Sequence, residues 1–140
     1  MKYLLDNDAS SLLLRGHPTL GNRVTSIPYE DLGVSGIAAE EMLTGALTVL
    51  NRARSDRLIN LRDAYARLTR IVQHLARFNI LPYDDDAENL YRSWPAHITR
   101  VGKFDCRTAA LAITYGLVVV TCNGKDFSRI QGVTFEDWTE

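Results

Sequence analysis

KFDCRTAALAITYGLVVVTCNGKDF, residues 103–127, is the stretch from which the rest of the chain is read. An acid, Asp105, stands at the opening of an amphipathic helix, and Gly116 stops that helix. Leu117 to Val120 then form a short, wholly apolar strand, followed by a polar turn with Thr121, Asn123 and Asp126. A strand without a polar residue, entered from a helix, is the pattern of a parallel strand covered on both faces. The turn after such a strand lies at the carboxyl edge of the sheet, where open α/β folds place their ligands.

The N-terminus repeats the pattern. Lys2 to Leu5 is a short apolar run that ends in Asp6-Asn7-Asp8, and a helix is expected from Asn7 to Arg15, stopped by Gly16. Two apolar strands that both end in acids suggest one shared site. Between them, Leu20 to Ile27 reads as a short helix closed by Pro28, and Leu32 to Gly36 as a second strand. IAAEEMLTGALTVLNR, residues 37–52, is helical, with Ile37, Met42, Leu43, Leu47 and Leu50 toward one side. Leu58 to Phe78 is the longest expected helix, its apolar face formed by Leu58, Leu61, Tyr65, Leu68, Ile71, Val72, Leu75 and Phe78. Ile80 to Pro82 is a minimal strand, DDDAENLYRSW (84–94) a helix with acids at its positive end, and GVTFEDW (132–138) a last strand. Strands alternating with helices along the whole length predict an α/β fold, with a mostly parallel sheet of about five short strands between layers of helices.

A chain of 140 residues, 46% of them hydrophobic, is expected to be a single domain, residues 1–140, burying roughly two thirds of its unfolded surface. The formal net charge of −1 conceals a concentration of arginines at 52, 54, 57, 67, 70 and 77, so charge alone neither supports nor excludes a nucleic-acid partner. Cys106 and Cys122 stand alone, without CxxC or histidines at ligand spacing, which predicts free thiols. MKYLLDND meets an acid after three apolar residues, unlike a signal peptide, and no run approaches membrane-spanning length; a cytoplasmic protein without membrane contact is expected.

The chemistry rests on carboxylates at strand ends and helix starts: Asp6 and Asp8, Glu40 and Glu41, Asp105, and Asp126. Two carboxylates about 4 Å apart repel by roughly 4 kcal/mol at an effective dielectric near 20. Several in one cleft therefore need a cation or raised pKa values. Oxygen donors without His or Cys favour Mg²⁺ or Mn²⁺, which suits phosphodiester hydrolysis by water activation and charge neutralisation. Each acid also has a simpler use. Asp6, Asp8 and Asp105 can cap helices, Glu40 and Glu41 can answer a helix dipole, and Asp126 can be a turn acid. Asp84 to Asp86 read as a capped helix start, the arginines as a solvated face or an RNA grip, and His17, His74 and His97 as surface or packing residues.

In order along the chain, LLDND, VSGIAAEEMLTG and VGKFDCRTAALAITYGLVVVTCNGKDFSRIQGVTFEDW resemble the PIN-domain ribonucleases, especially the VapC-type toxins of bacterial toxin–antitoxin pairs. The resemblance spans nearly the whole chain and implies a three-layer PIN-like domain with metal-binding acids at Asp6, Glu41, Asp105 and Asp126. Glu41 matches the glutamate four residues before a glycine, here Gly45, and Asp105 the acid of a Gly-x-x-Asp that starts at Gly102. Three positions depart from the pattern: Asn7 where a hydroxyl is usual, Asn123 where some relatives carry the fourth acid, and Thr108 where a bulky aliphatic is common. The implied activity is endonucleolytic cleavage of structured RNA such as tRNA, with Thr121 and Asn123 positioning the scissile phosphate or the attacking water. The implied partners are a second copy of the chain in a homodimer and a cognate antitoxin protein.

Two other readings stay open. Asp6-Asn7-Asp8 after an apolar strand also resembles the DxD of haloacid-dehalogenase-type phosphatases, with Asp6 as nucleophile, although that chemistry needs a lysine and a late acidic pair. The same fold could alternatively bind RNA or a partner without catalysis.

Overall fold

The structure is a computed structural model that describes residues 1–140. Five strands, β1 (Tyr3–Leu5), β2 (Leu32–Ser35), β3 (Asn79–Leu81), β4 (Val118–Val120) and β5 (Thr134–Glu136), form one sheet in the order β3-β2-β1-β4-β5. Every neighbouring pair is parallel, with Leu5 opposite Val34 on one side and Val120 on the other. The expected mostly parallel sheet is thus wholly parallel. Its first strand is central, and the chain extends the sheet in one direction with β2 and β3, then in the other with β4 and β5. That reversal opens a crevice at the carboxyl ends of the inner strands.

Helices cover both faces. Side chains alternate along a strand, so adjacent β1 residues serve different cores. Leu5 joins Val34, Val120, Met42, Ala46 and Ile71 in one cluster, while Leu4 joins Val119, Ala109, Leu111 and Phe127 in the other. The first core is roofed by α1 (Asn7–Leu14), α3 (Gly36–Ala53) and α4 (Leu61–Leu75), with α2 (Pro18–Thr25) beside α1. The second is roofed by α5 (Asp85–Ser93), the short α6 (Ala96–Thr99), α7 (Lys103–Tyr115) and the short α8 (Gly124–Phe127). Demand for apolar side chains on both faces explains why the inner strands carry almost nothing else.

Caps place the helix starts. Asp6, Ser35, Asn60 and Asp84 each accept a backbone N–H three residues on, from Ala9, Ala38, Asp63 and Ala87. Gly116 ends α7 in the left-handed region at φ 64°, where a side chain would be strained, and turns the chain directly into β4.

The expected helix 58–78 is corrected in three respects. Its cap is Asn60, so it runs over 15 residues and is shorter than α3, with 18. Leu58 precedes the cap and is 95% exposed. The buried seam is Ala64, Ile71, His74 and Leu75, with Leu68 half-buried, whereas Leu61, Tyr65 and Val72 face outward. The reason lies in α3, the helix against which α4 packs: Ala38, Met42 and Ala46 on its inward face share one core with Ile71 and Leu75. Of the histidines, His74 is a packing residue bonded to the Ser10 hydroxyl at 2.8 Å, and His17 caps α2 by accepting the Leu20 N–H.

Candidate functional site

The carboxyl edge of β1, β2 and β4 gathers acids from four separate segments. Asp6 follows β1 directly and is only 4% exposed. Its carboxylate accepts the Ala9 N–H at 2.8 Å, so capping and site membership coexist in one side chain. Burial pushes its pKa from 3.8 up to about 6, the charges of Asp8 and Asp105 add to the rise, and the Ala9 amide and Thr121 hydroxyl oppose it.

Glu41 lies in the second turn of α3, one turn further in than a strand–helix junction residue would be. It is half-buried, and burial together with the charges of Asp105, Asp8, Asp6 and Glu40 lifts its pKa from 4.5 to about 7. Asp105 is the third residue of α7. The cap of that helix is Gly102, so Asp105 is not its N-cap; its carboxylate lies in the first turn, at the helix's positive end, and accepts from Asn123. Burial raises its pKa, Asp126 and Asp8 raise it further, and a hydrogen bond from Asn123 opposes them.

The segment after β4, expected as a polar turn, closes into α8, which carries Asp126. Gly124 lets this helix lie on β5: a Cβ there would meet Phe135 Cε2 at 2.9 Å. Asn123 occupies the centre of the arrangement. Its Nδ2 donates to Asp126 Oδ2 at 2.8 Å and to Asp105 Oδ2 at 3.1 Å, so one amide bridges two acids from different helices. Its backbone N–H donates to Thr121 Oγ1 at 2.8 Å. Thr121 is fully buried, behind Asp6 and the turn rather than in the open crevice.

Asp6, Glu41, Asp105 and Asp126 are therefore brought to one edge, and the first three have pKa values raised by burial and further by neighbouring carboxylates. Asp8, read from the sequence mainly as a helix acid, belongs to the same electrostatic cluster, since its charge acts on Asp6, Glu41 and Asp105. The signal for it was its place two residues after Asp6. As the side chains stand, no three of the molecule's His, Cys, Asp or Glu residues converge closely enough to hold one metal ion. The donor set nevertheless fits a hard divalent cation: it is all oxygen, it is crowded with like charge, and two members are spanned by a neutral amide that a cation can replace. Asp8 and Glu41 also line a groove of about 860 Å³ that continues along α1 and α4 to Arg15, Arg67 and Arg70.

A family model described as "PIN domain" matches residues 4–133. The chain is 27% identical to the tRNA(fMet)-specific endonuclease VapC of Salmonella typhimurium, over 99% of this chain and 98% of that protein. It is 28% identical to ribonuclease VapC1 of Haemophilus influenzae strain R2866, over the full length of both. Among solved structures, DNA-bound VapBC from Salmonella typhimurium matches with a TM-score of 0.80 and 26% identity, covering 99% of this chain and 98% of that one.

Proposed function

The chain belongs to the PIN domain family, and from that footing we propose that it is a metal-dependent endoribonuclease of the VapC type, hydrolysing phosphodiester bonds of structured RNA such as tRNA. The observation that carries the proposal is the gathering of Asp6, Glu41, Asp105 and Asp126 from four chain segments at one edge of the sheet, where burial first, and neighbouring carboxylates second, raise the pKa values of Asp6, Glu41 and Asp105. Such a cluster costs stability unless a cation joins it. Relatives named as ribonuclease and endonuclease over their full length support the reaction class.

In this reading the four acids hold Mg²⁺ or Mn²⁺. Bound there, the cation supplies acidification of the attacking water and neutralisation of charge on the phosphate. The rest is done by the chain itself. The Ala9 amide fixes Asp6 in one orientation, and the Thr121 hydroxyl stands behind it. Asn123 sets the spacing of Asp105 and Asp126, and gives the substrate phosphate a donor when those acids turn to the cation. Water adds to phosphorus in line with the P–O3′ bond, which breaks to leave a 3′-hydroxyl and a 5′-phosphate. Without a cation the acids repel the RNA backbone, so the site is inactive until loaded.

The partners proposed are a cognate antitoxin and a second copy of the chain, with the complex in the cytoplasm. Solved relatives that are VapBC complexes support the first, and no helix here is long and apolar enough to cross a membrane. Two apolar surfaces suit protein partners: a groove of about 440 Å³ lined by Leu13, Leu14, Val24, Ile27 and Phe78, and the outward face of α4 with Leu61, Tyr65 and Val72. The test is incubation of the purified, antitoxin-free protein with total RNA in Mg²⁺, Mn²⁺ or EDTA beside Asp6→Asn. Discrete metal-dependent products, absent in the variant, are expected; intact RNA in both metals would refute the proposal.

A further inference from the structure

The mid-chain arginines are dispersed by the fold, and only some of them share a surface with the acids. Arg92 is paired with Glu88, Arg77 lines the apolar groove, and Arg54 donates to Asn51. Arg67 and Arg70, three residues apart and so on one side of α4, line the groove that also holds Asp8 and Glu41. Arg15, the residue that closes α1, lines it as well. All three are exposed, and none takes part in an ion pair; the molecule's pairs use Lys2, Arg23, Arg92 and Arg107.

Arg67 lies beside a glycine. A Cβ on Gly45 would lie 3.6 Å from Arg67 Nη2, so the guanidinium rests against α3 where that helix is bare. Gly45 is four residues after Glu41, on the same side of α3 and about 6 Å further along its axis. A guanidinium is thus held about one helical turn from an acid of the site, with which it makes no ion pair.

We propose that Arg15, Arg67 and Arg70 form a phosphate-binding rim that grips the RNA backbone beside the scissile bond and delivers it to the acids. The inference rests on the ribonuclease reading and adds the path of the substrate to it. A groove lined both by acids and by unpaired arginines suits a polyanion that meets a cation-loaded centre with one phosphate and places its neighbours on guanidinium groups. An acidic peptide fits less well, because its carboxylates would also meet Asp8 and Glu41.

The experiment measures binding of unfractionated tRNA to the Asp6→Asn protein over a series of salt concentrations, with and without Arg15→Gln, Arg67→Gln and Arg70→Gln. Each substitution is expected to weaken binding and lower the slope of log Kd against log salt by roughly 0.7 to 0.9. Arg→Lys at the same positions should restore the slope, and Arg52→Gln should leave it unchanged. In the cleaving protein, Arg67→Gln/Arg70→Gln should lower kcat/KM for tRNA by about tenfold or more near 0.15 M salt, with Mn²⁺-dependent hydrolysis of bis(p-nitrophenyl) phosphate unchanged. Unaltered tRNA affinity and slope in the triple variant would overturn the rim. So would a parallel fall in hydrolysis of the small diester, or loss of binding to a partner protein with tRNA affinity intact. If the parent protein cuts no RNA but its tRNA affinity still depends on the arginines, the ribonuclease reading fails and the rim stands; if it binds no tRNA, both fail.

Discussion

Asp6→Asn should make the metal-free protein more stable while abolishing its activity. Burial raises the Asp6 pKa from 3.8 to about 6. Below about pH 4 the carboxyl is protonated in both folded and unfolded chains and adds nothing. Between about pH 4 and 6 the unfolded chain has lost the proton and the native one retains it, so stability falls as pH rises. Above about pH 6 the native state bears the whole cost of a buried, repelled carboxylate, about 3 kcal/mol at 1.36 kcal/mol per pH unit. Asparagine removes the charge and still caps α1, because its side-chain oxygen can accept the Ala9 N–H at the same position. Up to about 3 kcal/mol should therefore be recovered near pH 8, a rise in melting temperature on the order of 5 to 10 °C, dwindling toward zero at pH 4. Thermal melts of both proteins in EDTA across that range measure it. Added Mg²⁺ or Mn²⁺ should raise the melting temperature of the wild type and much less that of the variant. A variant no more stable than wild type at pH 8, or a difference independent of pH, would refute the account of the acids as a charge cluster awaiting a cation.

Further consequences concern the same edge. With Glu41 raised to about 7 and Asp6 to about 6, metal must displace protons, so affinity for Mn²⁺ should climb steeply from pH 5 to pH 8 with proton release visible by calorimetry in buffers of differing ionisation enthalpy; a flat profile would contradict it. Asn123→Asp replaces the bridging amide with another carboxylate, and should lower the melting temperature in EDTA while enlarging the stabilisation by Mg²⁺. Gly124→Ala sets a methyl 2.9 Å from the Phe135 ring; shifting α8 should cost about 1 to 3 kcal/mol and reduce cleavage through Asp126, as melting and RNA-cleavage rates would report together.

The sequence by itself was enough to place Asp6 at the end of β1 and the polar segment with Asn123 and Asp126 after β4, because a buried parallel strand must be apolar on both faces and its first polar residue marks where it leaves the sheet. Gly116 as a helix stop and Asp84 as a cap were equally legible, since both are local backbone chemistry. What the tertiary structure decided depends on which surfaces meet. The Leu58–Phe78 segment has two apolar faces, and only the core that Ile71 and Leu75 share with α3 chooses the buried one. Cys122 and Thr121 are neighbours in sequence, yet one is exposed and the other buried against the acids. Asn123, a departure from the family pattern in sequence, is a bridge between α7 and α8 in space. The arginines form one concentrated run along the chain, and helix packing alone sends Arg67 and Arg70 to the acidic groove and Arg77 to the apolar one. Caps, stops and strand ends are written within a few residues; partners across the fold depend on a sheet order that no local stretch contains.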